Sequence, residues 1–369
     1  MKPGSTLQNI AQRLNEQRTA SIDLLVQEPA ITMTAGGSIA VPETPAPDSF
    51  QGNRSFPPKL DIVLDPTPLA HRQIGTHLGI PAPYYDRMRT DAPELLAGNV
   101  NRWLADHTDG VRMLRTLTPT AEAHRHTLRA FLSNRYRPLD NYDLAQAVLP
   151  ELDANGFALR SHELTDTHLY LKAVLEERTV DVAVGDAVAI GVSIRNSDVG
   201  CSSLSIAPFI ERLICTNGMT INDLGTRRRH VGKRLNGFQD GALIAEHLST
   251  EAHAASDKAF WLAARDTVRA CASEATLATV ADSMRQGREI RATGHPQEVV
   301  RQVSRRVGIT EGEESSVLEH LITGGELSAY GLANAVTRAA ADVESYDRAS
   351  ELEAIGWQVL QLPAQSFAA

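Results

Sequence analysis

The sequence predicts an α+β fold in which a central antiparallel β-sheet is flanked by N-terminal and C-terminal helical segments. Three observations point there. From Phe157 to Cys215 the chain runs as β-branched or alternating stretches (Phe157 to Leu159, Leu169 to Leu175, Val188 to Ile194, Leu204 to Cys215), parted by turn residues at Gly185-Asp186 and Ser197-Asp198-Val199-Gly200. Alternation with period two suits half-buried strands, and short turns between sequence neighbours imply antiparallel pairing. On both sides of this block apolar residues return to helical spacing. Finally, 369 residues with 42% hydrophobic and 22% charged content can bury a core of about two domains' size, which excludes wholesale disorder, collagen and coiled coil.

Taken in order, Ser5 to Arg18 places Leu7, Ile10, Ala11 and Leu14 on one helical face behind a Ser/Thr start. Ala35 to Pro58 carries five prolines and three glycines, so it reads as a linker or mobile loop. Leu60 to Leu64 looks like a short strand. Three helices are expected over His71 to Leu78, from Pro81, and over Ala92 to Ala105; half-buried strands over Val111 to Leu117 and Leu128 to Leu132; and a helix over Asn141 to Leu152. Beyond Gly241 helical periodicity covers Ala242 to Leu248, Ala255 to Met284, Glu298 to Val307, Glu314 to Ile322 and Ser328 to Ile355. The expected organisation is residues 1–34, a helix and strand; 35–58, the linker; 59–155, a mixed, mainly helical region; 156–240, the antiparallel core with a basic cluster; and 241–369, a helical region. There is no internal repeat at a 20 to 50 residue period.

Charge limits function. With 36 basic against 45 acidic residues the net charge is -9, so any phosphate contact must be local. Only Lys2, Lys59, Lys172, Lys233 and Lys258 are lysines; the remaining basic residues are arginines, whose planar fork suits carboxylate or phosphate. Cys201, Cys215 and Cys271 lack C-x-x-C spacing, which argues against disulfides and structural zinc and for a reducing cytoplasm. The first residues have no apolar signal region, and no apolar run is long enough to span a membrane.

The most informative stretch is Gly191 to Met219, where Arg195 and Arg212 interrupt otherwise apolar strands. Both can simply face solvent, or they can form a basic platform continued by Arg227, Arg228, Arg229, Lys233 and Arg234. Five positive charges in eight residues, with no acid among them, would hold a phosphate backbone through counterion release. A second candidate lies at Phe131 to Tyr142, where Arg135, Tyr136 and Arg137 have the pattern of base stacking beside phosphate contacts; the alternative is a strand-to-helix turn with Asp140 as N-cap and Tyr136 packed inward. Cys215 reads as a buried strand cysteine rather than a nucleophile. His124, His126, His162 and His168 do not have metal-ligand spacing, and the chain carries neither a P-loop nor G-x-G-x-x-G. No catalytic residue, metal or cofactor is therefore expected.

The strings AHRQIGTHLGIPAPYYDRM, LLAGNVNRWL, FLSNRYRPLDNYDL, IRNSDVGCSSLSIAPFIERLICTNGM and YGLANAVTRAAADVESYDRASELEAIGWQVL resemble the DUF932 family of phage- and plasmid-borne proteins over about residues 60 to 360. The family has no assigned function. The resemblance implies a setting on mobile elements, in DNA upkeep, recombination, defence or counter-defence, and it brings no catalytic residues.

Together these readings anticipate a non-enzymatic cytoplasmic protein that binds single-stranded nucleic acid, DNA rather than RNA, for annealing or protection, as a homo-oligomer whose modest grooves add by multivalency. The alternative is a protein-binding counter-defence or regulatory factor, which the acidic net charge would suit.

Overall fold

A computed structural model describes residues 1–42, 62–119, 125–215, 217–228 and 250–368. The chain is a mixed α+β fold with eleven helices and two six-stranded sheets among the described residues. Sequence periodicity pointed to a single central sheet. Several strands of the other sheet were expected singly, but they did not read as one sheet, because helices separate them in sequence and two more, Thr32–Met33 and Ile39–Val41, are too short to show an alternation.

Helix α1 (Leu7–Ala20) begins at Thr6, whose hydroxyl accepts from Asn9 N–H, and ends where Ser21 turns extended. The chain continues into β1 (Ser21–Gln27), a 3-10 turn (Glu28–Ala30), β2 (Thr32–Met33), β3 (Ile39–Val41) and β4 (Ile62–Pro66). Helices α2 (Pro68–His77), α3 (Ala82–Asp91) and α4 (Pro93–Asp106) precede β5 (Val111–Leu117) and β6 (His126–Ser133). The first sheet has the order β1-β5-β6-β4-β3-β2, antiparallel except where β4 runs parallel to β6. Ile74, Leu96, Val100 and Leu104 from the helices share its core with Leu64, Leu114, Leu128 and Phe131. Most of the proline-rich stretch, residues 43–58, lies outside the described residues.

After α5 (Asn141–Ala154) comes the second sheet, β7 (Ala158–Leu164), β8 (Leu169–Ala183), β9 (Asp186–Asn196), β10 (Leu204–Arg212) and β11 (Asn217–Thr220), with β12 (Thr226–Arg228) also on β10. All its described pairings are antiparallel, as the alternation and turns predict. Leu171, Ile194 and Ile206 form one apolar row across β8, β9 and β10, and α1 and α5 lie against the Leu171 side. The next residue of β8, Lys172, faces the other way. The C-terminal helices are α6 (Thr250–Cys271), α7 (Glu274–Glu289), α8 (Pro296–Val307), α9 (Glu311–Gly324), α10 (Ala329–Ala339) and α11 (Tyr346–Leu360). Two helical runs read as continuous are each split, because Ser273 and Ser345 cap new helices by accepting from Thr276 N–H and Arg348 N–H.

Helix α11 crosses the Lys172 side of the sheet. Lys172 Nζ lies 2.5 Å from Glu353 Oε2 and donates to Ser350 Oγ at 3.2 Å, with both ions almost fully buried. Burial opposes the lysine's charge, but Glu353 outweighs it and its pKa rises.

Candidate functional site

The two sheets meet at the Asn196–Gly200 turn. Arg115, fully buried on β5, donates to Asp23 Oδ1 (3.0 Å), Asp140 Oδ1 (2.6 Å) and the Asp198 carbonyl (2.6 Å). Arg129 on β6 grips the Asp198 carboxylate with both terminal nitrogens, at 2.9 and 3.3 Å. Burial works against the Arg115 charge, but Asp140, Asp23 and Asp198 overcome it and hold the guanidinium above its ordinary pKa. Gln73 joins the same node, donating to the Val199 carbonyl and accepting from Phe131 N–H, each at 2.8 Å. Gly200, at φ 82°, closes the turn; a side chain there would press on Leu132 and Tyr136.

This joint unites the two stretches that sequence reading singled out, in a structural role. Tyr136 is half-buried and donates to the Ser197 carbonyl at 3.2 Å. Its ring is packed against the turn, so it does not offer a stacking platform, and burial raises its pKa. Asp140 stands at the N-cap of α5, but its side chain makes no capping hydrogen bond and accepts from Arg115 instead. Arg135 is exposed in the turn after β6, and Arg137 is half-buried and has a partner.

Immediately beyond the joint, one register row crosses the second sheet: Glu163 on β7, Tyr170 on β8, Arg195 on β9, Ser205 on β10 and Arg227 on β12. Residues directly opposite one another share a face. Arg195 and Arg227 therefore project from the same face, two strand spacings or about 10 Å apart, and neither has a carboxylate partner among the described residues. Arg227 is exposed and Arg195 partly so. Arg72 on α2 lies close enough for its charge to act on the Cys201 thiol, whose pKa burial raises; sequence reading missed this arginine because nothing on a helix surface marks it.

The other predicted basic residues do not join this row in the described structure. Arg212 lies seven residues along β10 from Ser205, on the opposite face by alternation, and is held by Asp186 at 2.6 and 2.8 Å over the Tyr330 ring. Arg228 pairs with Leu204 in β12. Arg229, Lys233 and Arg234 lie outside the described residues, as do His124 and the helix expected at Ala242 to Leu248. Cys215 is half-buried in the turn after β10, with Sγ 3.9 Å from Arg212 Nη1; the buried cysteine is Cys271, on α6, with its pKa pushed up to about 12 by burial. The reading of Cys215 as a buried strand residue fails because β10 ends at Arg212.

Beside the arginine row stands a polar relay. His168 Nε2 is 3.0 Å from Ser202 Oγ, and His168 Nδ1 is 2.9 Å from Thr167 Oγ1, which donates to Asp347 Oδ2 at 2.9 Å. Thr165 donates to Asp347 Oδ1, and Nδ1 itself is 3.6 Å from that oxygen. Burial pushes the Asp347 carboxyl up, but hydrogen bonds from His168, Thr167 and Tyr170 bring it down to about 2. The order hydroxyl, imidazole, carboxylate is the one that activates a serine nucleophile, with a threonine interposed. The preceding amide, Cys201 N–H, is committed to Ser197 Oγ. Sequence reading weighed His168 as a metal ligand only; its serine and aspartate partners are 34 and 179 residues away.

No protein-family model, curated protein or solved structure matches the chain. No helix among the described residues is long and apolar enough to cross a membrane.

Proposed function

We propose that this chain binds single-stranded nucleic acid along the end of its second sheet, as a DUF932-like mobile-element protein acting in annealing or protection and assembling through copies of itself. The single observation carrying this reading is the register row that sets Arg195 and Arg227 on one face, without carboxylate partners among the described residues, next to the exposed turn after the joint. Two guanidiniums about two strand spacings apart, unpaired with carboxylates among the described residues, suit a polyanion, and repetition over several copies would turn weak local contacts into useful affinity. No exposed aromatic stands in the row, so the contacts are to phosphate and sequence preference is expected to be slight.

Fluorescence anisotropy of a labelled oligonucleotide with wild type and with Arg195→Ala/Arg227→Ala tests this. Tight, salt-sensitive binding by wild type and loss in the double variant is the expected result. Unchanged affinity and salt dependence in the variant would overturn the site, and no binding by wild type would overturn the function.

The relay supports a second reading, hydrolysis of an ester or phosphodiester by Ser202 with His168 as base. It predicts covalent labelling by a fluorophosphonate probe that Ser202→Ala abolishes. Absence of labelling in wild type would remove it.

A further inference from the structure

We infer that Glu28, His77 and His107 form a binding site for one divalent transition-metal ion of the zinc class, on the first sheet and separate from the arginine row. The three residues come from different elements: Glu28 opens the 3-10 turn after β1, His77 ends α2, and His107 follows α4. His77 Nε2 and His107 Nδ1 each lie 2.8 Å from the same oxygen, Glu28 Oε2, with the two rings edge to face at 5.3 Å. All three donor atoms lie within 4.8 Å of one another.

The donor chemistry fits such an ion. Two imidazoles and one carboxylate are the set that zinc and its neighbours accept, at about 2.0 to 2.2 Å. A tetrahedral ion at those lengths would hold its ligand atoms roughly 3.4 Å apart, so each histidine need withdraw only about half an ångström from Oε2. Among the described residues neither of these nitrogens has a second hydrogen-bond partner to hold it back.

The carboxylate is held ready from behind. Arg112 Nε donates to the other oxygen, Oε1, at 2.7 Å, so Oε2 alone faces the histidines. An outer-sphere donor of this kind fixes a ligand's orientation. The His107–Gly110 turn wraps the group: Gly110 N–H donates to the His107 carbonyl, Glu28 N–H donates to the Gly110 carbonyl at 2.8 Å, and a Cβ on Gly110 would sit 2.4 Å from Oε1. Glycine is therefore required where the chain passes the carboxylate. Exposure rises from 2% at the Glu28 side chain through 18% at His77 to 43% at His107, so the site is closed on the carboxylate side and open to solvent beside His107. Three protein ligands with one open side leave a position for water, the arrangement of reactive rather than purely structural zinc sites.

The competing account is that both histidines simply donate to a buried carboxylate already paired with Arg112. The two accounts separate on metal affinity. Untagged wild-type protein, stripped with EDTA and titrated with zinc by calorimetry, should bind one equivalent, and cobalt should give the visible absorption of nitrogen and oxygen ligation. His107→Ala, at the exposed corner, should keep the fold by circular dichroism and weaken zinc at least tenfold; His77→Ala should do the same. If stripped wild type takes up no zinc or cobalt, or binds them as tightly as His77→Ala/His107→Ala does, the site is a hydrogen-bonded node and the inference is wrong.

Discussion

Arg195 and Arg227 stand on either side of Ser205 in one register row, one on β9 and the other on β12. The shared strand sets their spacing, so the pair behaves as a fixed two-point contact rather than as two independent surface charges. Phosphate neutralisation by such residues has a salt signature. Arg227→Ala is predicted to reduce the slope of log affinity against log salt by about 0.7 for a single strand, with little change in stability because Arg227 is exposed. Arg212→Ala should behave in the opposite way, costing stability by leaving buried Asp186 with only Tyr330 and the more distant Arg288, and leaving the slope unchanged. Measuring both slopes over a salt series checks this; equal slopes for Arg227→Ala and wild type would exclude Arg227 from the interface.

Lys172 and Glu353 form a buried pair, and its worth depends on which partner is removed. Lys172→Met leaves Glu353 buried without its counter-ion and is predicted to cost about 3 to 5 kcal/mol. Lys172→Met/Glu353→Leu should recover most of that loss, because the lone buried ion is gone. Urea unfolding of the two single variants and the double variant closes the cycle. Additive losses would show that the pair does not interact.

His71 is buried beside Tyr85, its Nδ1 3.0 Å from the phenol oxygen. Burial, helped by the charge of Arg89, brings its pKa down to about 4. Between about pH 4 and 6.5 the unfolded chain therefore holds a proton that the folded chain rejects, so stability falls as pH falls through that window and is fully present above it. About 3 kcal/mol is at stake. Glu313 and Asp347, both held to about 2, act lower, because their stabilisation is lost as pH falls from about 4.5 towards 2. Denaturant melts of wild type and His71→Gln across pH 4 to 8 should diverge only in the upper window; parallel curves would remove His71 from the account.

Glycine positions separate steric need from chance. A Cβ at Gly191 would lie 1.9 Å from the Ala173 carbonyl oxygen and 2.8 Å from Val174 Cα, both backbone atoms that cannot swing aside. Gly191→Ala is predicted to destabilise by about 3 kcal/mol or more. Gly98, on α4, has open space where its Cβ would go, and Gly98→Ala should stabilise by about 0.5 to 1 kcal/mol. The midpoints of urea unfolding should therefore move in opposite directions, and a drop for both would count against the packing argument.

The second sheet was legible in the sequence because β8, β9 and β10 are long and alternate, and turn residues part them. The first sheet was legible only as separate strands, since helices part β4 from β5 and a two-residue strand such as Thr32–Met33 has no period to read. Buried charge was hidden for another reason: Arg115 and Lys172 look like surface residues until partners distant in sequence are placed beside them. Glu28, His77 and His107 are separated by 49 and 30 residues, so no local spacing announces them. Arg195 and Arg227 stood out because each breaks or follows an apolar strand, but only the register puts them on one face.

The joint around Asp198 couples more than geometry. Three strands of the first sheet, the capping residue of α5 and the turn after β9 share five charged groups there, Arg115, Arg129, Asp23, Asp140 and Asp198. Swinging one layer away from the other would part Arg115 and Arg129 from Asp198 and Asp140 at once, so a half-open molecule has no cheap resting point. The two layers should consequently melt in a single step, and the proposed arginine and metal sites, though set on different sheets, would survive or be lost together.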